Sequence, residues 1–399
     1  MAMASPMGQL MCARQFRTRL ISPKHSFLAT FIMEEKRKPN SKFIKFIDIL
    51  PKGFTNFPIF YTKEERAWLD GSPFQNQISD KIKDISADYN MICKEVPEYQ
   101  QFPLKEYSEY RMMVASRIFG IQINGHKTDA FVAYADMLNH RRPRQTSWQY
   151  CDRRQGFIIE ALEDIKRGEQ IFDSYGKKCN TRFLLNYGFI NLNNDGNEFP
   201  FKLMLETSDP RWKEKNDLLG SALAKRTYRV MADLQEENTI KCFSYLRFLE
   251  FDGDMILMFE AKQKAREDRN SDSEEPNSSW RAENIGVISL HNERKMLQHL
   301  RKLSIEALKK YPSSLQEDVR LLAEDDEKQT LSFNERNCVL FRQGEKEILH
   351  WFIEFVDFIT SLMTLKFKDA KKEPLPKQFE SARHYIHESI CPLLLKEQK

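Results

Sequence analysis

The sequence has no C-x-x-C pair. Its seven cysteines, Cys12, Cys93, Cys151, Cys179, Cys242, Cys338 and Cys391, are scattered and odd in number. A zinc site needs clustered thiolate or imidazole ligands, so no metal is expected, and scattered free thiols fit a reducing compartment. No apolar run approaches the ~18–20 residues of a membrane span. Met1 to Met11 lacks a charged segment followed by a long apolar one, so no secretory signal is read there. A cytoplasmic or nuclear protein without a membrane partner is the expectation. Charge of one sign is also missing: 62 Lys and Arg face 58 Asp and Glu, leaving +4 over 399 residues. A nucleic-acid binder concentrates Lys and Arg on one face, so no nucleic-acid partner is expected either. There is no internal repeat.

What is present is core-forming material. Apolar residues make up 41% and Phe occurs 29 times, so aromatic-rich cores are expected. At roughly 150 residues per domain the length suggests two or three domains. Ser22-Pro23 reads as a helix start, followed by Phe27, Leu28, Phe31 and Ile32 at helical spacing. Ile78, Ile82, Ile85, Tyr89 and Ile92 alternate spacings of four and three, which makes an amphipathic helix. A third helix is read over Glu106 to Phe119.

The pattern then changes to short apolar runs between turn residues: Ala130 to Tyr134, Phe157 to Leu162, and Gln170 to Phe172 after Gly168. These read as strands. Asn180 is read as the cap of a short helix that Gly188 ends. One or two strands are expected after Phe199 before helices take over. Met296, Leu300, Leu303 and Ala307 form one helical stripe. Ser313 with Gln316, and Ser332 with Glu335, resemble capping boxes. Ile348, Phe352, Phe355, Ile359 and Met363 line a long apolar helix face. The polar stretch of residues 262–284 cannot bury much and is read as a disordered loop.

Three segments of the β-rich part carry candidate chemistry: Asp136 to His140 (DMLNH), Gly168 to Gly176 (GEQIFDSYG) and Asn180 to Phe189 (NTRFLLNYGF). Taken singly, each has an ordinary explanation. Asn139-His140 reads as a turn, Tyr175-Gly176 as a wet strand end, Phe189 as core and Asp136 as a cap. Glu34 to Lys42 reads as a solvated helix end, and Arg141 to Arg144 as a solvated loop. His384 and His387 are three apart but have no acidic or cysteine partner marking a metal site.

Taken in order, the segments resemble the C-terminal half of the SET domain, with its N-H and then Y-G elements. The likeness is to the subgroup of Rubisco large-subunit methyltransferases and actin-histidine methyltransferases. Ser116-Arg117-Ile118-Phe119 matches another element of that subgroup. Ile288 to Glu293, Lys310 to Asp318 and Asn337 to Leu349 resemble its helical substrate-binding domain.

The resemblance implies an α+β protein in two parts. Residues 1–195 would form a SET domain with a helical insertion at about 23–119. Residues 200–390 would form an all-α substrate-binding domain. It implies transfer of a methyl group from S-adenosylmethionine to a lysine of a protein substrate by a monomer. Histidine as acceptor, and an inactive protein-binding module, are the alternatives. Carried over by position, Asn139 and His140 would hold the donor, Arg117 would meet its carboxylate and Phe189 would stack on its adenine. Tyr175 would be both catalytic and donor-binding, Asp136 would support the pocket, and Tyr187 would meet the substrate and lean toward lysine. The family's opening Gly-x-Gly turn and strand are not found before Ser22, so the SET domain is expected to be incomplete at its front, with activity in question.

Overall fold

A computed structural model describes residues 14–219, 225–267 and 284–398. The chain divides into two compact units. The first holds residues 1–69, 74–195 and 331–338; the second holds 70–73, 196–330 and 339–399.

The first unit begins with helices. Helix α1 spans Pro23–Arg37, α2 spans Phe74–Glu95 and α3 spans Leu104–Arg117. Ala29, Ile32 and Met33 of α1 join Ile85 and Ile92 of α2 and Tyr107, Met113 and Val114 of α3 in one apolar cluster. The spacing of four and three read along α2 is what puts Ile85 and Ile92 on that face. Ser22 precedes α1 with Pro23 in the first turn, but its side chain makes no cap bond. Asp88 of α2 does the anchoring instead. Its carboxylate, 1% exposed, accepts from the Ile21 and Ser22 amides and the Ser26 hydroxyl, with the buried Arg111 guanidinium 3.6 Å away.

Among the described residues, four two-stranded sheets follow. Strands β1 (Ile118–Ile123) and β2 (His126–Phe131) form an antiparallel hairpin. Asn124 and Gly125 sit at its tip with φ of 48° and 80°. Both central residues of this tight turn need positive φ, which Asn and Gly tolerate best. The third helix therefore stops at Arg117, two residues before the expected end, because Phe119 belongs to β1. The two residues of β3 (Asn139–His140) run parallel to the two of β6 (Phe172–Asp173), while β4 (Thr146–Cys151) and β5 (Gly156–Ala161) pair antiparallel. Helix α4 (Asn180–Tyr187) ends on Gly188 at φ 75°. Cys179, not Asn180, is its N-cap. The Asn180 amide instead fastens the loop beyond the helix, accepting from the Asn191 amide and donating to the Asn191 carbonyl.

The second unit is helical but not entirely so. Strands β7 (Phe199–Met204) and β8 (Lys225–Val230) pair antiparallel, a correction to an all-α domain, although strands after Phe199 were foreseen. Helices Glu237–Leu249 and Leu290–Leu308 pack around a large apolar core with the part of Phe333–Leu362 from Val339 onward. Within it, Arg247 makes a two-pronged ion pair with the fully buried Glu293, and the Tyr385 hydroxyl donates to the same carboxylate. Of the two expected capping boxes, one is Ser314 with Glu317, one residue beyond the expected pair, and the other, Ser332 with Glu335 in the 331–338 segment of the first unit, is as expected. Helix Gly253–Glu267 contains the start of the expected loop, so residues 262–267 are helical. Residues 268–283 of that loop lie outside the described residues. Among the described residues no helix is long and apolar enough to cross a membrane, and no cluster could hold a metal ion.

Candidate functional site

The short parallel pairing of β3 with β6 decides the geometry. Asn139 lies opposite Phe172 and His140 opposite Asp173. Tyr175, two residues past β6, is thereby brought beside His140. The Tyr175 amide donates to His140 Nδ1 at 3.0 Å, and the Tyr175 hydroxyl donates to the Leu138 carbonyl at 2.8 Å. Two segments 35 residues apart are thus locked at both ends of one side chain.

Helix α4 supplies the other wall. The His140 ring lies between Tyr175, at 5.2 Å, and the buried Phe183, at 4.8 Å. Tyr187 stacks on Tyr175 at 4.8 Å with 20° between the planes, and Phe189 lies 6.4 Å from Tyr175. Gly188 makes the turn that separates these two rings. A side chain there would collide with Asn56, 2.3 Å from where a Cβ would stand. Asn56 Nδ2 donates to the Gly188 carbonyl, so the 51–57 segment closes over the helix end.

Two cavities adjoin at Tyr175. One, of about 220 Å³, is lined by Arg117, Asp136, Asn139, Tyr175, Tyr187 and Phe189, together with Gly53, Phe54, Asn56 and Phe57. The other, of about 190 Å³, shares Ser116, Arg117, Asp136, Tyr175 and Tyr187 and continues along Ile118, Phe119, Trp148, Asp173 and Lys178. Six of the seven residues singled out in the sequence therefore line one cavity. His140 does not; it stands behind Tyr175 as a support.

Arg117 Nη1 donates to the Asp136 backbone carbonyl at 2.9 Å and lies 3.1 Å from its carboxylate, whose side chain is fully buried. Burial raises the Asp136 carboxyl, opposed by Arg117. Asp136 is thus an ion-pair partner rather than a helix cap. Burial lowers the His140 imidazole, helped by Lys178 and Arg142, so the ring is neutral at pH 7 and free to accept at Nδ1. Burial pushes the Tyr175 phenol up to about 12, with Arg117 opposing, so it too is neutral.

The donor set can be tested against S-adenosylmethionine. Buried polar atoms without a partner are costly and mark places where a ligand would be accepted. Asp136 Oδ1 is such an atom, on a residue that lines the larger cavity. With the Asn139 amide, the aromatic faces and a guanidinium, the cavity offers what a nucleoside carrying an amino acid requires. The residues fit.

Sequence reasoning missed the 51–57 wall, because a turn-rich segment without a motif gives no signal at a distance of 130 residues. It also missed Trp148, whose indole N–H donates to the buried Asp173 carboxylate at 3.0 Å, and Lys178.

Residues 17–176 match the SET domain family, and residues 206–349 match the family described as Rubisco LSMT substrate-binding. The actin-histidine N-methyltransferase of Homo sapiens is 26% identical over 391 residues, covering 92% of this chain. The chain spans 62% of the length of that relative. The Gallus gallus protein of the same name is 24% identical with the same coverage. Among solved structures, the SET domain of LSMT bound to lysine and AdoHcy superposes with a TM-score of 0.70 at 19% identity, covering 93% of this chain and 81% of that one. At that identity the likeness shows the fold. On these matches, the chain carries a SET domain followed by a Rubisco LSMT substrate-binding domain.

Proposed function

We propose that this protein is a methyltransferase that moves a methyl group from S-adenosylmethionine to a side-chain nitrogen of a protein substrate. The observation that carries the reading is the single cavity lined by Arg117, Asp136, Asn139, Tyr175, Tyr187 and Phe189. The names of the relatives, and the S-adenosyl ligands in solved structures of the same fold, point the same way. The catalytic part would run to about residue 195, and the substrate-binding part would occupy about 200–390.

S-adenosylmethionine supplies an activated methyl on a sulfonium. The chain's contribution is placement, which can be worth roughly 7–11 kcal/mol of a barrier. In the larger cavity Phe189 offers a face to a flat base, Asn139 offers an amide, and the two Arg117 nitrogens not given to Asp136 can meet a carboxylate. His140 fixes the Tyr175 backbone rather than touching the donor with its ring. Tyr175 stands at the boundary of the two cavities as the catalytic residue. Its hydroxyl proton is committed to Leu138, which leaves its oxygen to accept contacts from the reacting centre. The smaller cavity takes the acceptor.

Lysine is the leading acceptor. The stacked Tyr175–Tyr187 pair suits an alkyl amine, and a cation already lies near it: Lys178 Nζ is 5.9 Å from the Tyr187 ring centre. The second reading is histidine, favoured by the names of the relatives. Incubating the protein with S-adenosylmethionine and cell extract, then mapping new methyl groups by mass spectrometry, separates them. Methyl on lysine supports the first reading and methyl on histidine the second. No new methyl on any protein overturns both.

A further inference from the structure

Lys178 is the residue of the smaller cavity that its neighbours leave unexplained. Two cations line that cavity, Arg117 and Lys178. Arg117 is paired with Asp136. The nearby Asp173 carboxylate is taken by Trp148 and Thr146. Lys178 is half-buried and has no carboxylate partner among the described residues. Its Nζ donates to the Tyr175 carbonyl and lies over the Tyr187 ring. A half-buried ammonium is ordinarily held by a carboxylate, because its desolvation otherwise goes uncompensated. A carbonyl and a ring face compensate that desolvation less fully than a carboxylate would.

We propose that Lys178 is an internal methyl acceptor, its amine occupying the acceptor cavity beside Tyr175 until a protein substrate displaces it. The proposal rests on the reading that the larger cavity takes the methyl donor. Geometry favours it. Lys178 is three residues from Tyr175 in sequence, and its four-carbon stem carries three further rotatable bonds beyond the first. The Lys178 side chain lines the smaller cavity together with Tyr175. Burial, reinforced by Arg182, lowers the Lys178 ammonium and makes the neutral amine more accessible. In the step, the ammonium first releases a proton to water. The nitrogen lone pair then forms the N–C bond as the C–S bond breaks. The sulfonium becomes a neutral thioether, and the positive charge passes to the methylated nitrogen.

Three measurements on the full chain test this. Calorimetric titration with S-adenosylmethionine reports whether the donor binds at all. Peptide mass mapping after incubation with the donor alone should find a methyl group on Lys178, in a fraction that does not change on dilution of the protein. Without donor, acylation by N-hydroxysuccinimidyl acetate across pH should reach half-reaction at lower pH for Lys178 than for free Nα-acetyl-lysine. The Lys178→Arg variant, checked for fold by its melting curve, should lose the methylated peptide. All three results together support the proposal. Donor binding with Lys178 unmodified, a methylated fraction that falls on dilution, or a Lys178 acylation midpoint equal to that of free Nα-acetyl-lysine overturns it and leaves the function intact. No donor binding overturns both.

Discussion

The segment that builds the site and the helical second unit are held together by different forces. Between Ile118 and Asp195 the buried apolar side chains are few: Ile121, Ala135, Cys179, Phe183 and Leu184. The buried polar ones are as numerous, namely Asp136, Gln145, Thr146, Asp173, Asn180 and Thr181. Hydrogen bonds such as Gln145 Oε1 to the Phe172 amide and Asn180 to Asn191 tie one short pairing to the next. In the second unit Phe201, Phe243, Phe248, Phe352 and Phe355 are all buried in one continuous cluster. Apolar burial is strong but non-directional, whereas hydrogen bonds fix orientation and contribute only about 1 kcal/mol each. A reaction centre needs orientation, so the site segment gives up apolar mass for directed contacts. The second unit is held by its own apolar bulk.

The comparison can be broken by mutation. Phe352, fully buried, should cost the second unit about 3–5 kcal/mol when replaced by Ala, read as a fall in the unfolding midpoint. Asp173→Ala removes the acceptor of the Trp148 indole and leaves that donor unpaired, while the Thr146 hydroxyl keeps the Phe172 carbonyl. It should cost about 1–3 kcal/mol, with a shift in Trp148 fluorescence. An Asp173 variant that destabilises more than the Phe352 variant contradicts the division of labour.

A smaller effect sharpens it from the side of pH. Burial lowers His25 to about 4, with Arg111, Lys81 and Lys24 adding to the effect and Asp129 opposing it. The unfolded chain therefore takes up the proton first, near 6.5. The stability associated with neutral His25 is complete above that pH and is lost as pH falls from 6.5 toward about 4. His25→Gln cannot titrate. It should flatten the melting-temperature profile across that window. An unchanged slope shows that His25 is not the group responsible.

How much of this was legible in the sequence follows from the same contrast. Helical periodicity is a local signal, and it located α2 and the face from Ile348 to Met363. Strand β1 stayed hidden because Phe119 continued the spacing of the helix before it, and the apolar run Ala130 to Tyr134 met only the end of β2. Arg117, Asp136, Asn139, Tyr175, Tyr187 and Phe189 were named from ordered motifs, and the structure places them around one cavity. What stayed hidden were partners fixed by tertiary packing alone. Asn56 against Gly188, Asp88 under the start of α1, and Lys178 beside Tyr187 have no periodicity and no spacing to announce them.

The central claim is that residues from β3, from beyond β6 and from the end of α4 form one pocket for S-adenosylmethionine. Isothermal titration tests it most directly. The account predicts saturable binding to the full chain, weakened about tenfold by Asn139→Ala, which removes an exposed amide and leaves the melting temperature unchanged. Absence of heat at millimolar ligand, or binding indifferent to Asn139, would contradict it.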